Sequence, residues 1–211
     1  MEKGRTQSTK SSRDQEGRLE IILASSSPRR RQILRNAGIR FRSMPGEVVE
    51  GPRRSGERRS AYAIRLALKK ARSVVADVSP DAVILAADTI VCVGGKILGK
   101  PRSRGEARRM LRLLSGRSHW VITGVALICH ATHRSLRWSE RTRVTFSPLS
   151  ETDIESYIDS GEPFDKAGAY AVQGLASKFV TRIEGCYFNV MGLPVASVSE
   201  ALRRIAAGRL K

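Results

Sequence analysis

The sequence predicts one α/β domain, in which apolar strands alternate with amphipathic helices. Residues 19–24 and 82–87 are short apolar runs typical of buried strands, whereas residues 57–77 repeat apolar side chains at helical spacing. Of the 211 residues, 41% are hydrophobic and 27% are charged, which suits one domain, or two closely packed lobes, with a real core. Because only 5% are aromatic, Val, Ile, Leu and Ala must fill that core.

The domain is expected to span residues 19–211. Residues 1–18 are polar and have no apolar periodicity, which indicates a disordered extension. They also lack the apolar core of a signal peptide.

The domain begins with a predicted strand, a tight loop and a helix. The strand covers residues 19–24, and residues 32–37 have a helical pattern. Ser27 suits the N-cap of this helix, Pro28 its first position, and Gly38 its end.

A long helix over residues 57–77 comes next, followed by a strand over residues 82–87. The strand leads into Asp88 and Thr89, and a further apolar run ends at a hairpin turn made by Gly94 and Gly95. The later elements are a helix over 103–115, strands over 118–129 and 134–147 with a turn near 130–133, a helix over 150–159, a strand over 179–183 and a helix over 195–207.

Bulk composition argues against a membrane or secreted protein. The longest apolar stretch, near residues 82–93, contains Asp88 and is too short to span a bilayer. The three cysteines are widely spaced and odd in number, which argues against a disulfide framework or zinc ribbon. Reduced thiols in a cytoplasmic protein are the simplest interpretation.

The formal net charge of +18 has two interpretations. Eight basic residues between positions 53 and 72 are opposed only by Glu57. Such a surface attracts polyanions, including nucleic acid. The alternative, which we favour for most of these charges, is an ordinary solvated surface, with a smaller subset that attracts a triphosphate.

The segment Ser25–Arg30 is a candidate phosphate cradle. Free backbone N–H groups at the start of a helix face the same space as its hydroxyls and two guanidinium groups. The Walker pattern is absent, and the alternative is a capped helix with exposed arginines.

Two further groups have the right chemistry for a phosphate site. Asp88 follows an apolar strand, and at a strand end it is suited to hold Mg²⁺ or orient water. Lys70 and Lys100 can neutralise phosphate oxygens as point charges. Each also has a simpler explanation, as a turn aspartate or as surface lysines.

A loop over residues 161–174 combines acid, base and glycine, and ends with Gln173, whose amide can read a base edge. An exposed turn with an ion pair is the alternative. Cys129, His130 and His133 resemble a metal cluster but have no fourth partner at ligand spacing. His119 lies in a strand pattern, which favours a structural role.

Taken together, these segments closely resemble the Maf family, also called septum-formation-inhibitor-like proteins. The resemblance runs from about Leu19 to Ala206, and eight motifs in order make it specific. They are Leu23–Arg30, Leu68–Ala71, Ala87–Thr89, Gly99–Pro101, Leu114–Gly116, Asp165–Tyr170, Gln173–Gly174 and Met191–Pro194.

The resemblance implies an elongated mixed sheet with flanking helices in two lobes around a cleft, similar to inosine triphosphate pyrophosphatases. It implies a nucleoside triphosphate pyrophosphatase that uses a divalent cation, Mg²⁺ or Mn²⁺, and is often a homodimer. It also implies the dTTP/UTP branch; the alternatives are the 7-methyl-GTP branch and, from another class, a basic nucleic-acid-binding protein, which lacks a recognisable binding motif here.

Family positions also imply residue roles. Asp88 corresponds to the proton acceptor, and Glu50 to a glutamate that handles metal or water, so Glu50 and Asp88 are the expected metal ligands. An insertion around residues 46–56 leaves Glu47 as the alternative to Glu50. The remaining expectations are phosphate contacts by Ser25, Arg30, Lys70 and Lys100, and substrate choice by Arg29, Thr89 and Gln173.

Overall fold

A computed structural model of the chain describes residues 19–132 and 134–208. The predicted extension over residues 1–18 and the predicted turn residue His133 lie outside the described residues. Within them, no helix is both long and apolar enough to cross a membrane.

The described residues form a seven-stranded mixed sheet in the order β2-β1-β3-β5-β6-β7, with β4 paired to β3 as a side branch. The pairs of β1 with β2 and β3 are parallel, and all other pairs are antiparallel. The strands are β1 (Ile21–Leu23), β2 (Arg42–Ser43), β3 (Val83–Val93), β4 (Lys96–Leu98), β5 (Ser118–Cys129), β6 (Arg134–Phe146) and β7 (Val180–Glu184).

Helices cover both faces of this sheet. They are α1 (Pro28–Asn36), α2 (Arg59–Arg72), α3 (Arg104–Leu114), α4 (Glu151–Asp159), α5 (Tyr187–Val190) and α6 (Val195–Ala206). On β3, Val83 and Leu85 pack with α1 and α6, whereas Ile84 and Ala86 pack with α2 on the opposite face. A separate apolar cluster surrounds α3 and α4 and includes Val93 of β3, so the core divides into two lobes.

Most predicted elements are confirmed near their expected bounds. Ser27 caps α1 by accepting from the Arg30 N–H, with Pro28 at the first position. Gly94 and Gly95 form the predicted hairpin turn, and both have positive φ angles (50° and 85°), as a type I′ turn requires. The long helix was predicted too long, because α2 ends at Arg72 before a short 3-10 turn, and α5 was not predicted.

The prediction that Asp88 stands at a strand end is wrong. Asp88 lies inside β3, which runs unbroken for 11 residues because β5 pairs with it from Val83 to Cys92. On its other edge, however, β3 pairs with β1 only as far as Leu85 and with β4 only from Val91. Asp88 therefore lies at a gap in the pairing, which gives a mid-strand residue the access usually found at a strand end.

The helix α2 contacts the sheet at Gly124 of β5. A Cβ added to Gly124 would overlap the backbone of Ala63 and Ile64 in α2, so only glycine permits this approach. Gly124 is the direct strand partner of Asp88. The contact therefore fixes how closely α2 passes over the position of Asp88.

We predict that Gly124→Ala destabilises the fold by about 1–3 kcal/mol, because the added methyl group pushes α2 off the sheet. The melting temperature should fall by roughly 2–12 °C for a domain of this size. Gly105→Ala in α3 is the matched control, since its new Cβ would meet only the Ser103 hydroxyl, at 3.9 Å, and alanine favours a helix. Equal melting temperatures for the two variants would contradict a glycine-dependent contact.

Candidate functional site

A cleft of about 1080 Å³ opens at the gap along β3, between the two lobes. Its walls come from the β1–α1 loop, α2, β3, the segment from β4 to α3, and the loop before β7. All nine predicted site residues line it: Ser25, Arg29, Arg30, Glu50, Lys70, Asp88, Thr89, Lys100 and Gln173. Residues from six separate segments of the chain thus share one cavity, as the phosphate-site hypothesis requires.

An ion-pair cluster forms the floor of the cleft on the α2 side. The Lys70 ammonium donates to the Asp88 carboxylate, and its Nζ also lies 2.5 Å from Glu50 Oε1. The Asp88 side chain is 9% exposed and that of Glu50 is 49% exposed. The Lys70 ammonium therefore links the buried carboxylate of Asp88 to the solvent-exposed carboxylate of Glu50.

Burial raises the pKa of Asp88 above its ordinary value, although Lys70 and Arg30 oppose this shift. The carboxylate is consequently more basic than a surface aspartate. A carboxylate of raised pKa, beside a lysine and open to a cleft, has the properties of a general base.

Arg30 is held on the opposite wall by three acceptors. Its Nε donates to the Gly192 carbonyl at 2.8 Å, while Nη1 and Nη2 donate at 3.2 Å to the hydroxyls of Ser25 and Thr89. A guanidinium has five N–H donors, so these three bonds leave two for a ligand. Burial lowers the pKa of Arg30, but arginine stays protonated at any physiological pH.

Asp88 and Thr89 point to opposite faces of β3, as neighbours on a strand do. Asp88 contacts α2 through Lys70, whereas Thr89 accepts from Arg30 of α1 and contacts the Thr123 hydroxyl at 2.9 Å. The gap in strand pairing opens both faces to the same cleft. The carboxylate cluster and the arginine wall are thus set one residue apart on β3.

The other predicted residues line the cleft more loosely. Arg29 Nη1 lies 3.9 Å from the Asp165 carboxylate. Lys100 and Gln173 are exposed, and neither side chain bonds to another part of the chain that the structure describes. Glu47 is exposed and is not among the residues that line the cleft, so the geometry favours Glu50 in its place.

Sequence reasoning missed several polar residues of the cleft. Glu106 and Arg109 line it from α3, together with Arg102 and Tyr62. The three-residue spacing of Glu106 and Arg109 indicates a shared helix face, but no local pattern shows that this face turns toward the cleft.

His119 and His130 do not line the cleft. His130 Nδ1 lies 3.1 Å from the Ser79 carbonyl oxygen, and Cys129 is buried in the cluster beneath α1 and α6. Over the described ranges, no group of three or more His, Cys, Asp or Glu could hold a metal ion. His119 is buried on β5, where its Nε2 lies 2.7 Å from the Tyr170 hydroxyl and burial lowers its pKa to about 4.

Solved structures support the fold. A HAM1 protein from Coxiella burnetii superposes with a TM-score of 0.51 at 17% identity, over 89% of this chain and 100% of its own. The expected mixed α/β fold, similar to inosine triphosphate pyrophosphatases, is thereby confirmed.

Several relatives share far more of their sequence with this chain. A dTTP/UTP pyrophosphatase from Carboxydothermus hydrogenoformans is 49% identical over 185 residues, 88% of this chain and 98% of that protein. Proteins of the same name from Koribacter versatilis and Bacillus cereus are 47% and 46% identical, over 87% and 88% of this chain and 93% and 95% of their own lengths. The family model for Maf-like proteins matches residues 20–205. The chain therefore belongs to the Maf family.

Proposed function

We propose that the chain is a nucleoside triphosphate pyrophosphatase that hydrolyses dTTP and UTP to the nucleoside monophosphate and pyrophosphate. The observation that carries this proposal is the cleft itself, which is lined by a buried carboxylate of raised pKa and by three separate cations, Arg30, Lys70 and Lys100. Its relatives at 42–49% identity are named for this reaction.

Phosphate binding follows from the positive wall. The N-terminus of α1 opens into the cleft beside Ser25 and Arg30, and the helix dipole favours anions there. Arg30 has two N–H donors left over, and the exposed Lys100 is free to move toward a ligand. We assign these groups, which line the same cleft, to hold the β- and γ-phosphates together as a leaving group.

The carboxylates fit a divalent cation. Asp88 and Glu50 converge on the Lys70 ammonium, so their oxygens already share one positively charged neighbour. Mg²⁺ commonly takes only one or two protein carboxylates and completes its octahedron with phosphate oxygens and water. Bound there, Mg²⁺ or Mn²⁺ would neutralise charge at the α-phosphate and lower the pKa of a bound water.

The remaining chemistry belongs to the chain's own groups. Asp88 accepts a proton from the attacking water, whose oxygen forms a bond to the α-phosphorus while the bond to the bridging oxygen breaks. The pyrophosphate takes that electron pair and leaves against Arg30 and Lys100. Lys70 keeps Asp88 oriented, because the two side chains are hydrogen bonded.

Base choice is assigned to Arg29, Thr89 and Gln173. The exposed Gln173 amide both donates and accepts, which matches the O=C–N–H–C=O edge shared by thymine and uracil. Thr89 acts less directly, since its hydroxyl contacts Arg30 and Thr123. A homodimer and a cytoplasmic location remain predictions.

Asp88→Asn should lower kcat by at least about 100-fold, because the amide cannot accept the proton. The fold should survive. Burial raises the pKa of Asp88 above its value in the unfolded chain, so stability falls as the pH rises through these two pKa values and the carboxylate ionises. Asparagine does not ionise, which removes this cost. The melting temperature at pH 8 is therefore expected to equal or exceed that of the wild type.

Glu47→Gln is the matched control, since it exchanges a carboxylate for an amide outside the cleft. Its kcat should match the wild type. Activity of Asp88→Asn within about tenfold of wild type, or ~1.4 kcal/mol in the barrier, would exclude Asp88 as the essential base.

The products identify the bond that is broken. Incubation with dTTP and Mg²⁺ should yield dTMP and one pyrophosphate per turnover, resolved by ion-exchange chromatography. Early accumulation of dTDP with orthophosphate would refute cleavage between the α- and β-phosphates. Faster turnover of 7-methyl-GTP would refute the dTTP/UTP assignment, and tight RNA binding without turnover would favour the nucleic-acid alternative.

Gln173→Ala should weaken the preference for dTTP over GTP by about tenfold, because the polar groups of the thymine base then lose their hydrogen-bond partner and are left unpaired. Inhibition by pyrophosphate, measured in the same assay, should change by less than about twofold, since Gln173 is assigned to the base. Gln32→Ala is the control, because Gln32 is exposed on α1 and bonds to Asn36 outside the cleft. An unchanged dTTP/GTP ratio in Gln173→Ala would remove Gln173 from base recognition.

A further inference from the structure

A chain of buried polar side chains runs from the cleft into the sheet behind it, and the proposed reaction does not yet use it. Thr123, Thr142 and Asn189 are each 0% exposed. They connect Thr89 in the cleft to α5, just before the Met191–Pro194 motif. Buried polar groups are costly unless they are paired, so the direction of each hydrogen bond matters.

The hydrogen bonds allow only one direction at Thr89. The Thr123 hydroxyl donates its single proton to the Asn189 carbonyl at 3.1 Å. In the 2.9 Å contact between the hydroxyls of Thr89 and Thr123, the donor must then be Thr89. Thr89 is left with lone pairs alone, which suits it to accept from the Arg30 guanidinium at 3.2 Å.

The same Asn189 carbonyl controls the second contact to Arg30. It accepts from the Gly192 N–H at 3.0 Å as well as from Thr123. The Gly192 carbonyl in turn accepts from Arg30 Nε at 2.8 Å. Gly192 has a φ of 108°, a conformation that favours glycine, so the turn is specialised for this position. Two of the three acceptors around Arg30 thus depend on one carbonyl group.

Asn189 itself is fastened to the sheet by its side chain. The Nδ2 group donates to the Val121 carbonyl at 3.1 Å and to the Thr142 hydroxyl at 2.9 Å. Its Oδ1 is buried and has no partner among the described residues, which costs stability. A buried amide with one unpaired atom is a poor means of stabilising a fold. Its two donor bonds, however, fix the position of the Asn189 backbone carbonyl.

We infer that Thr123 and Asn189 are positioning residues that hold Arg30 for the leaving pyrophosphate. They act through Thr89 and Gly192, and neither lines the cleft. They thereby fix two donors of Arg30 and Ser25 holds a third, which leaves two donors in a set orientation for the phosphates. This role rests on the proposed function, because it concerns how the same cleft binds phosphate.

The test is Thr123→Val, which removes the hydroxyl while keeping the size and branching of the side chain. The Kd of pyrophosphate with Mg²⁺, measured by calorimetry, and the KM of dTTP should both rise about five- to tenfold, the effect of one or two lost hydrogen bonds. The value of kcat should change by less than about threefold, since Asp88 lies on the other face of β3. Thr123→Ser keeps the hydroxyl and should restore both constants.

Thr145→Val is the matched control. Thr145 of β6 also pairs its hydroxyl with a hydroxyl on a neighbouring strand, that of Ser118 of β5, at 2.8 Å. Thr145 does not line the cleft. It should alter the melting temperature as Thr123→Val does, but leave the Kd of pyrophosphate unchanged. An unchanged Kd in Thr123→Val, a raised Kd in Thr145→Val, or failure of Thr123→Ser to restore binding would each overturn the inference.

These outcomes are separable from the proposed function. If the wild type hydrolyses no nucleotide, the proposed function fails, whereas a Kd for pyrophosphate that rises in Thr123→Val and recovers in Thr123→Ser still supports the positioning role. If the wild type hydrolyses dTTP and Thr123→Val binds pyrophosphate normally, the proposed function stands and the positioning role is overturned.

Discussion

The close contact between α2 and the sheet at Gly124 is the constraint on which the site depends. Glycine has no Cβ, so the helix backbone passes directly over β5, beside the strand partner of Gly124, Asp88. Lys70 lies two turns farther along the same helix and reaches the Asp88 carboxylate. A wider separation would leave a buried carboxylate without its counter-ion, which is a severe cost.

The second organising feature is the interrupted edge of β3. A strand normally shows its two faces to different environments. Here the missing partner between Leu85 and Val91 opens both faces to one cleft, so Asp88 and Thr89 serve different walls of the same cavity. Proton transfer is assigned to one wall and phosphate binding to the other, although Arg30 is still close enough to act against the raised pKa of Asp88.

The many basic side chains include two groups with different surroundings. Along α3 and α4, arginines pair with acidic side chains at the surface, as in the contacts of Arg104 with Asp159 at 2.6 Å and Arg112 with Glu151 at 2.8 Å. Such exposed pairs contribute little to stability and weaken with salt. Arg30 and Lys70 are more buried and face a cavity, where charge acts at lower dielectric. In the proposed function, triphosphate binding is assigned to basic side chains of this second kind, which line the cleft.

Most elements could be predicted without the structure, because caps, turns and apolar periodicity are local properties. The cap Ser27, the turn at Gly94 and the long strands β5 and β6 are examples. Nine candidate residues were also named, some by their chemistry and others, such as Glu50, only through the family resemblance. The place of Asp88 within a strand and the link from Asn189 through Gly192 to Arg30 emerge only in the folded chain. Those facts depend on register and on contacts across long sequence separations, such as the 162 positions between Arg30 and Gly192, which no local pattern encodes.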